Sequence, residues 1–237
     1  MSFCNRPPNR LFSFEDLEDA SFQRILQQMD ALLEKEEISY LHPSKRWEYP
    51  WALERAELAS GSRVLDAGCG ASIFPIYLAS TKHRTTAFDV QVPRGLDRLH
   101  GVFVQYIQGD LAALPLADSC FDAIFCISVI EHLGESSVLS ALQELKRVLR
   151  PGGRLLLTTD YYEDAEAPLW YEGPDRRFRV DWKVFDRARL QRLLDNAIGF
   201  EVEGDLDLAI DWHKTREEMR RFHGYPYTSV GIALKKN

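Results

Sequence analysis

The stretch Val64-Leu65-Asp66-Ala67-Gly68-Cys69-Gly70-Ala71-Ser72 constrains this chain more than any other. An apolar run ends in a carboxylate, and two alternate glycines then turn the backbone into a helical pattern at Ser72–Ser80. Glycine at such a turn permits a positive φ and lets the backbone approach a ligand closely. Ligands of open α/β sheets bind outside the carboxyl ends of the strands, where the strand order reverses. A dinucleotide site would read G-x-G-x-x-G/A. Counted from Gly68, the sixth residue is Ile73, so the third small residue is missing. Asp66 would also meet a pyrophosphate with like charge, whereas it suits an ammonium or a sulfonium. Both observations set the dinucleotide reading aside.

The rest of the chain has the rhythm that such a turn needs. Short apolar runs at Arg63–Ala67, Thr85–Asp89, Gly101–Ile107, Phe121–Ile127 and Arg154–Thr159 predict strands. Between them lie helical patterns at Ser72–Ser80, Gly95–His100 and Glu135–Leu149. In the last of these, Val138, Leu139, Leu142, Leu145, Val148 and Leu149 share one face, and Pro151-Gly152-Gly153 follows as a stop. Strands alternating with helices imply βαβ units and a mostly parallel sheet. A helix over Val184–Ala197 and strands at Phe200–Glu203 and Thr228–Lys235 complete one doubly wound α/β domain over residues 60–237. Residues 1–59 read as a loose tail to about residue 12 and then a helical cap. In that cap Ser13 is an N-cap, and Leu17, Phe22, Ile25, Met29, Leu32 and Leu33 form the apolar stripe of a helix of about six turns.

Two more acids follow strands. Asp89 closes the second, where a carboxylate can accept bonds from both hydroxyls of a ribose. Asp110 follows the third, within reach of a purine amino group. The chain carries a net charge of −7, which disfavours nucleic acid as a partner. No apolar run approaches the roughly 18 residues of a membrane helix, and MSFCNRPPNR has no apolar export core. Cys4, Cys69, Cys120 and Cys126 contain no C-x-x-C pair, and the six histidines have no metal-ligand spacing, so the expectation is a reduced, cytoplasmic protein without a metal.

With these residues in place, the chain resembles the class I S-adenosylmethionine-dependent methyltransferases of the small-molecule type. VLDAGCGAS at 64–72, Asp89, QGDLAALPLADSCFDAIFCISVIEHL at 108–133 and LKRVLRPGGRLLLTT at 145–159 carry the resemblance, which covers about 60–159. It implies a Rossmann-like sheet of seven strands whose last, Thr228–Lys235, is antiparallel. It also implies roles: Asp66, Gly68 and Gly70 at the methionine part, Asp89 at the ribose, Asp110 with Leu111 at the adenine, and Val90 as a further cofactor contact. Ile127 and Ser128 would line the cofactor near its sulfonium. Ser72 stands where the family often has a third glycine. From the segment before the first strand, Arg46 is expected to pair with the cofactor carboxylate and Trp47 or Tyr49 to face the cationic sulfur.

Methyl transfer from a sulfonium is an in-line displacement in which the cofactor supplies the activation. His132, after the fourth strand, suits a general base for a hydroxyl acceptor. The E-H-L sequence around it is also widespread in this family, where the histidine is often structural or a cofactor contact. Substrate selection is expected from insertions at 160–180 and 205–227. Tyr161, Tyr162, Trp170 and Tyr171 read as an aromatic lid, and the second insertion as a pocket wall or a homodimer contact. Ile127-Ser128-Val129-Ile130 replaces the N-P-P-Y tetrapeptide of nucleic-acid amino methylation, so the expected acceptor is a small molecule taking the methyl on O or N. Two alternatives stay open: a cyclase or lyase attacking another sulfonium carbon, and a non-catalytic subunit that binds the cofactor.

Overall fold

Strand β2 (Arg63–Ala67) and its neighbours β3 (Arg84–Asp89), β4 (Val104–Gln108), β5 (Phe121–Ile127) and β6 (Leu149–Tyr161) are the parallel centre of the fold in the computed structural model, which describes residues 6–35, 41–92, 104–163, 169–173 and 175–237. Val64, Leu65, Ile124, Phe125, Leu155 and Leu156 have no measurable exposure, as expected of strands covered by helices on both faces. Strand β11 (Thr228–Lys236) closes this sheet antiparallel to β6, in the sense the sequence implies. The order runs β4-β3-β2-β5-β6-β11. Strand order therefore reverses at β2, whose neighbours are β3 and β5, and the crevice outside their carboxyl ends is where a ligand belongs.

The outer edge of β11 is shared. Strand β9 (Phe200–Val202) pairs with Leu234–Lys236, and β1 (Asn9–Leu11) pairs with Val230 and Gly231. A short β10 (Leu206–Asp207) runs parallel to β1. The expected seven strands are present, with β1 and β10 added. Residues 9–11 thus correct the expected loose tail. Asn9 is fully buried; its Nδ2 donates to the Glu203 carbonyl at 2.9 Å and its Oδ1 accepts from the Ala233 amide at 2.6 Å. Polar residues satisfied in this way leave no apolar pattern for a sequence reading to find.

The helices hold the two faces. On one, α5 (Glu135–Val148) buries Val138, Ala141, Leu142, Leu145 and Val148 against Leu155 and Leu157, and α6 (Arg187–Asp195) adds Leu190 and Leu193. On the other, α2 (Ala20–Lys35) sets Phe22, Leu26 and Met29 inward, α3 (Lys45–Ala56) buries Trp47 and Trp51, and α4 (Phe74–Ser80) buries Phe74 and Leu78. The six-turn cap helix is in fact broken: α1 (Phe14–Leu17) precedes α2, and Asp19 starts α2 afresh by accepting from the amide and hydroxyl of Ser21. The Gly95–His100 helix and the first three residues of the Gly101–Ile107 strand lie outside the described residues. After β6 come a hairpin of β7 (Trp170–Glu172) and β8 (Arg177–Arg179), and then α7 (Trp212–His223) before β11. Among the described residues no helix is long and apolar enough to cross a membrane.

Candidate functional site

The glycine turn opens at the end of β2. The amides of Gly68 and Cys69 both donate to the Phe88 carbonyl, at 2.7 and 3.0 Å, which ties the turn to β3. Gly68 has φ +88°, and a Cβ there would lie 2.3 Å from Cγ2 of Val129. The Gly70 amide donates to Oδ2 of Asp89 at 2.8 Å, and Oδ1 of Asp89 accepts from the Gln91 amide at 2.9 Å. Asp89 therefore braces the turn as well as standing where a ribose would lie. Each carboxylate oxygen has a second lone pair, so both oxygens can accept a hydroxyl as well.

Asp66 is 3% exposed and its Oδ2 has no hydrogen-bond partner. Burial, reinforced by the negative charge of Asp89, pushes its carboxyl up to about 8. An acid left in this state beside an open glycine turn is matched by a ligand ammonium, which would supply both the missing bond and the counter-charge. Tyr49 lies beside it, buried and stacked on Phe74 with ring centroids 4.3 Å apart. Val90, 73% exposed, offers an apolar side chain next to Asp89. Asp110 is exposed and caps the Ala112 amide at 2.9 Å, while Leu111 and Ile127 are buried.

The helix before the first strand supplies a cation, though by a different residue from the one expected. Both guanidinium nitrogens of Arg46 bond Asp30 at 2.9 Å on the outer side of the helix. Trp47 donates to the buried Asp16 instead of facing the cleft. Lys45 is the residue that reaches inward, bonding Glu48 at 2.5 Å and acting electrostatically on Asp66, Glu131 and Asp160. Glu48 is fully buried and also accepts from Ser229 at 2.7 Å and Ser128 at 3.0 Å. Burial opposes its charge, but Lys45 and the two hydroxyls hold its carboxyl below the usual range. Ser128 is held at φ +53°, a strained conformation for a side-chain-bearing residue, with its amide donating to Thr158.

Two further acids bury at this end of the sheet. Asp160 in β6 accepts from Trp182 Nε1 at 2.7 Å, and burial with Glu48 nearby raises it to about 7. Glu131 is 1% exposed; Oε2 accepts from Thr159 at 3.2 Å, and Oε1 has no partner. Burial and the adjacent Asp160 push it up as well. His132 sits on the 3₁₀ turn Ile130–His132 with its ring 5.6 Å from Trp182, and burial, followed by Lys45, lowers its pKa. The strand-end logic that picked out Asp66, Asp89 and Asp110 applies equally to Asp160, which the sequence reading counted within the insertion.

The aromatic insertion is divided. Tyr161 belongs to β6, is fully buried and donates to Glu163 at 2.7 Å; this corrects its placing in a loop. Tyr162 is buried edge-on against Trp212 at 5.6 Å. Trp170 and Tyr171 stand in the hairpin: Arg177 lies 4.6 Å over the Trp170 ring, and Tyr171 stacks on Phe178 and meets Tyr225. Residues 164–168 lie outside the described residues.

Comparison with known proteins agrees with this geometry. Residues 65–157 match the sequence model of the family described as "Methyltransferase domain". A malonyl-[acyl-carrier protein] O-methyltransferase of Erwinia pyrifoliae is 38% identical over 160 residues, which is 67% of this chain and 56% of that one. A ubiquinone biosynthesis O-methyltransferase of Pseudomonas aeruginosa is 33% identical over 52% of this chain and 54% of its own. The chain spans about half the length of these curated relatives. The crystal structure of Burkholderia thailandensis 1,6-didemethyltoxoflavin-N1-methyltransferase shares the fold, with a TM-score of 0.58 at 18% identity over 96% of this chain and 92% of that one. A methyltransferase structure from Mesorhizobium loti gives the same TM-score at 18% identity, over 80% of this chain and 97% of its own. The crevice at the strand-order reversal and the glycine turn beside Asp66 lie on the stretch 65–157, and that stretch belongs to the family described as "Methyltransferase domain".

Proposed function

We propose that the chain is an enzyme that transfers a methyl group from S-adenosylmethionine to a small-molecule acceptor. The observation that carries this is Asp66, a buried carboxyl whose Oδ2 has no partner beside the turn at Gly68–Gly70. Asp66 would hold the ammonium of the cofactor, Asp89 its ribose, and Val90, Asp110 and Leu111 the adenine side. When bound, the cofactor supplies an electrophilic methyl on its sulfonium. Everything else falls to the protein: α3 and the Tyr171 hairpin exclude water, and the residues at the ends of β5 and β6 orient the acceptor. Lys45 keeps Glu48 ionised, and Glu48 in turn holds Ser128 in its strained conformation beside the cleft.

For a hydroxyl acceptor a proton must leave, and two groups stand ready. His132, held neutral at pH 7, can take it, and so can Asp160, at about 7, where no cation pairs with it. The curated relatives transfer a methyl to oxygen, which supports methyl transfer over attack at another sulfonium carbon. The reading includes a reduced cytoplasmic setting, in keeping with the free thiols of Cys69, Cys120 and Cys126, and a small-molecule acceptor rather than nucleic acid. The expectation of a homodimer remains a proposal, tested by sedimentation. The test of activity is product analysis with labelled cofactor and a metabolite extract. Accumulation of S-adenosylhomocysteine is the expected result, and methylthioadenosine, or unchanged cofactor after prolonged incubation, overturns the reading.

A further inference from the structure

Beyond the cofactor turn, a second group of residues gathers at the carboxyl ends of β5 and β6, and the cofactor does not account for it. Its floor is acidic. Asp160 and Glu131 are 8% and 1% exposed, and each raises the energy of the other's charge or is raised by a third carboxylate, Glu48. Lys45 bonds Glu48 and acts electrostatically on the two deeper acids, whose direct donors are neutral: Trp182 and Tyr227 for Asp160 and Thr159 for Glu131. Oε1 of Glu131 is buried with no partner at all. Burying carboxyls together is costly unless a positive charge joins them.

The wall is aromatic and uncharged. Trp182 meets Tyr225 at 5.6 Å, Tyr225 stacks on Tyr227 at 4.9 Å, and His223 lies 5.5 Å from the first tyrosine and 5.6 Å from the second. Burial, then the neighbouring His42, lowers His223 to about 3, so its ring is neutral at pH 7. Trp182 and Tyr225 are half-exposed. Wall and floor are joined by the bond from Trp182 Nε1 to Asp160. Ring faces attract cations, and desolvation strengthens that attraction.

We propose that this chamber binds the methyl acceptor, and that the acceptor carries a basic amine held as an ammonium against Asp160 and Glu131 with its apolar body along Trp182 and Tyr225. An ammonium supplies the donor that Glu131 Oε1 lacks and a second positive charge for a floor whose three carboxyls share Lys45. A carboxylate-bearing acceptor would instead add another negative charge to the same space. The inference rests on the methyltransferase reading and names its class of acceptor.

The test uses three probes with one ring and different side-chain charge: tyramine, 4-ethylphenol and 4-hydroxyphenylacetate. Each is titrated calorimetrically into the full chain, with and without saturating S-adenosylhomocysteine. Tyramine is expected to bind at least tenfold more tightly than 4-ethylphenol, with 4-hydroxyphenylacetate weakest. Asp160→Asn, which keeps an acceptor for Trp182, is expected to reduce that advantage below threefold while S-adenosylhomocysteine affinity stays within twofold. Glu131→Gln provides the same readout should the first variant fail to fold. Equal binding of the three probes, a preference for either of the other two, or no tyramine binding at millimolar concentration overturns the proposal. Failure of S-adenosylhomocysteine to bind overturns the cofactor reading instead, and the ranking measured without it still decides this one.

Discussion

Replacing Asp66 by asparagine is expected to stabilise the ligand-free protein and at the same time weaken its hold on the cofactor. In the unfolded chain this carboxyl titrates near 3.8, whereas burial and Asp89 keep it protonated up to about 8 in the fold. Between those values the folded state retains a proton that the unfolded state has released. Stability from this group is therefore full below about pH 4 and is lost as pH rises through 8. At about 1.4 kcal/mol per pH unit, the penalty reaches about 4 kcal/mol at pH 7, an upper figure because water entering the cleft screens the charge. Asparagine has the same shape and no such penalty. The stability difference between Asp66→Asn and wild type should thus widen by up to about 4 kcal/mol between pH 5 and pH 8, measured by urea unfolding. The same change removes a charged partner of the cofactor ammonium, worth about 1.5–3 kcal/mol, or roughly a 10- to 150-fold loss of affinity by calorimetry. Parallel stability curves for the two proteins, or an unchanged S-adenosylhomocysteine affinity, would refute the reasoning.

Neighbouring positions give contrasting outcomes. Arg46→Ala breaks a half-exposed pair with Asp30, so it should cost under about 1 kcal/mol and shift cofactor affinity less than threefold in a thermal and calorimetric comparison. Lys45→Met leaves Glu48 buried with only hydroxyl partners, and its unfolding free energy should fall by about 3–5 kcal/mol. Because Glu48 is held below its usual range, its contribution is present above the unfolded value and lost as pH falls through the folded one, so wild type and this variant should converge in acid. Gly68→Ala forces a Cβ against Val129 at φ +88°, and should both destabilise the protein by about 1–3 kcal/mol and abolish detectable cofactor binding. Asp16→Ala strands the buried Arg10 and Trp47 donors, and a loss of about 3–5 kcal/mol on urea unfolding would distinguish an integral first strand from a dispensable tail.

The sheet was legible because its signal is periodic. Apolar runs ending at Ala67, Asp89 and Ile127 each became a strand within a residue of the expected bounds, the run at Arg154–Thr159 became the middle of a strand that starts earlier, at Leu149, and the glycine turn sits where the chain reverses its strand order. What escaped was whatever rests on polar pairing across long separations. Asn9 bonds residues nearly two hundred positions away, and Asp16 gathers Arg10 and Trp47; neither leaves a periodic trace. Helix phase explains the exchange of Arg46 for Lys45. The expectation identified the right turn of helix and the right charge, but one residue along a helix is a rotation of about 100°, which here separates the cleft from the Asp30 side.

The acceptor half of the site was hidden for a related reason. Asp160 and Trp182 flank the first insertion, at its start and just past its end, and Tyr225 and Tyr227 come from the second, so only the docking of both beside β6 brings them together. A sequence reading can count aromatics in a loop, as it did with Tyr161 and Trp170, yet it cannot tell which rings turn inward. Strand alternation decides that for Tyr161, whose side chain falls on the α5 face with Leu155 and Leu157, whereas Asp160, one residue earlier, falls on the other face beside Ser229 and Glu48. The charge of the cleft was within reach all the same. Acids at the carboxyl ends of the parallel strands are a single pattern, and extending it from Asp66 to Asp160 turns a cofactor site into a site with a preference for what the cofactor meets.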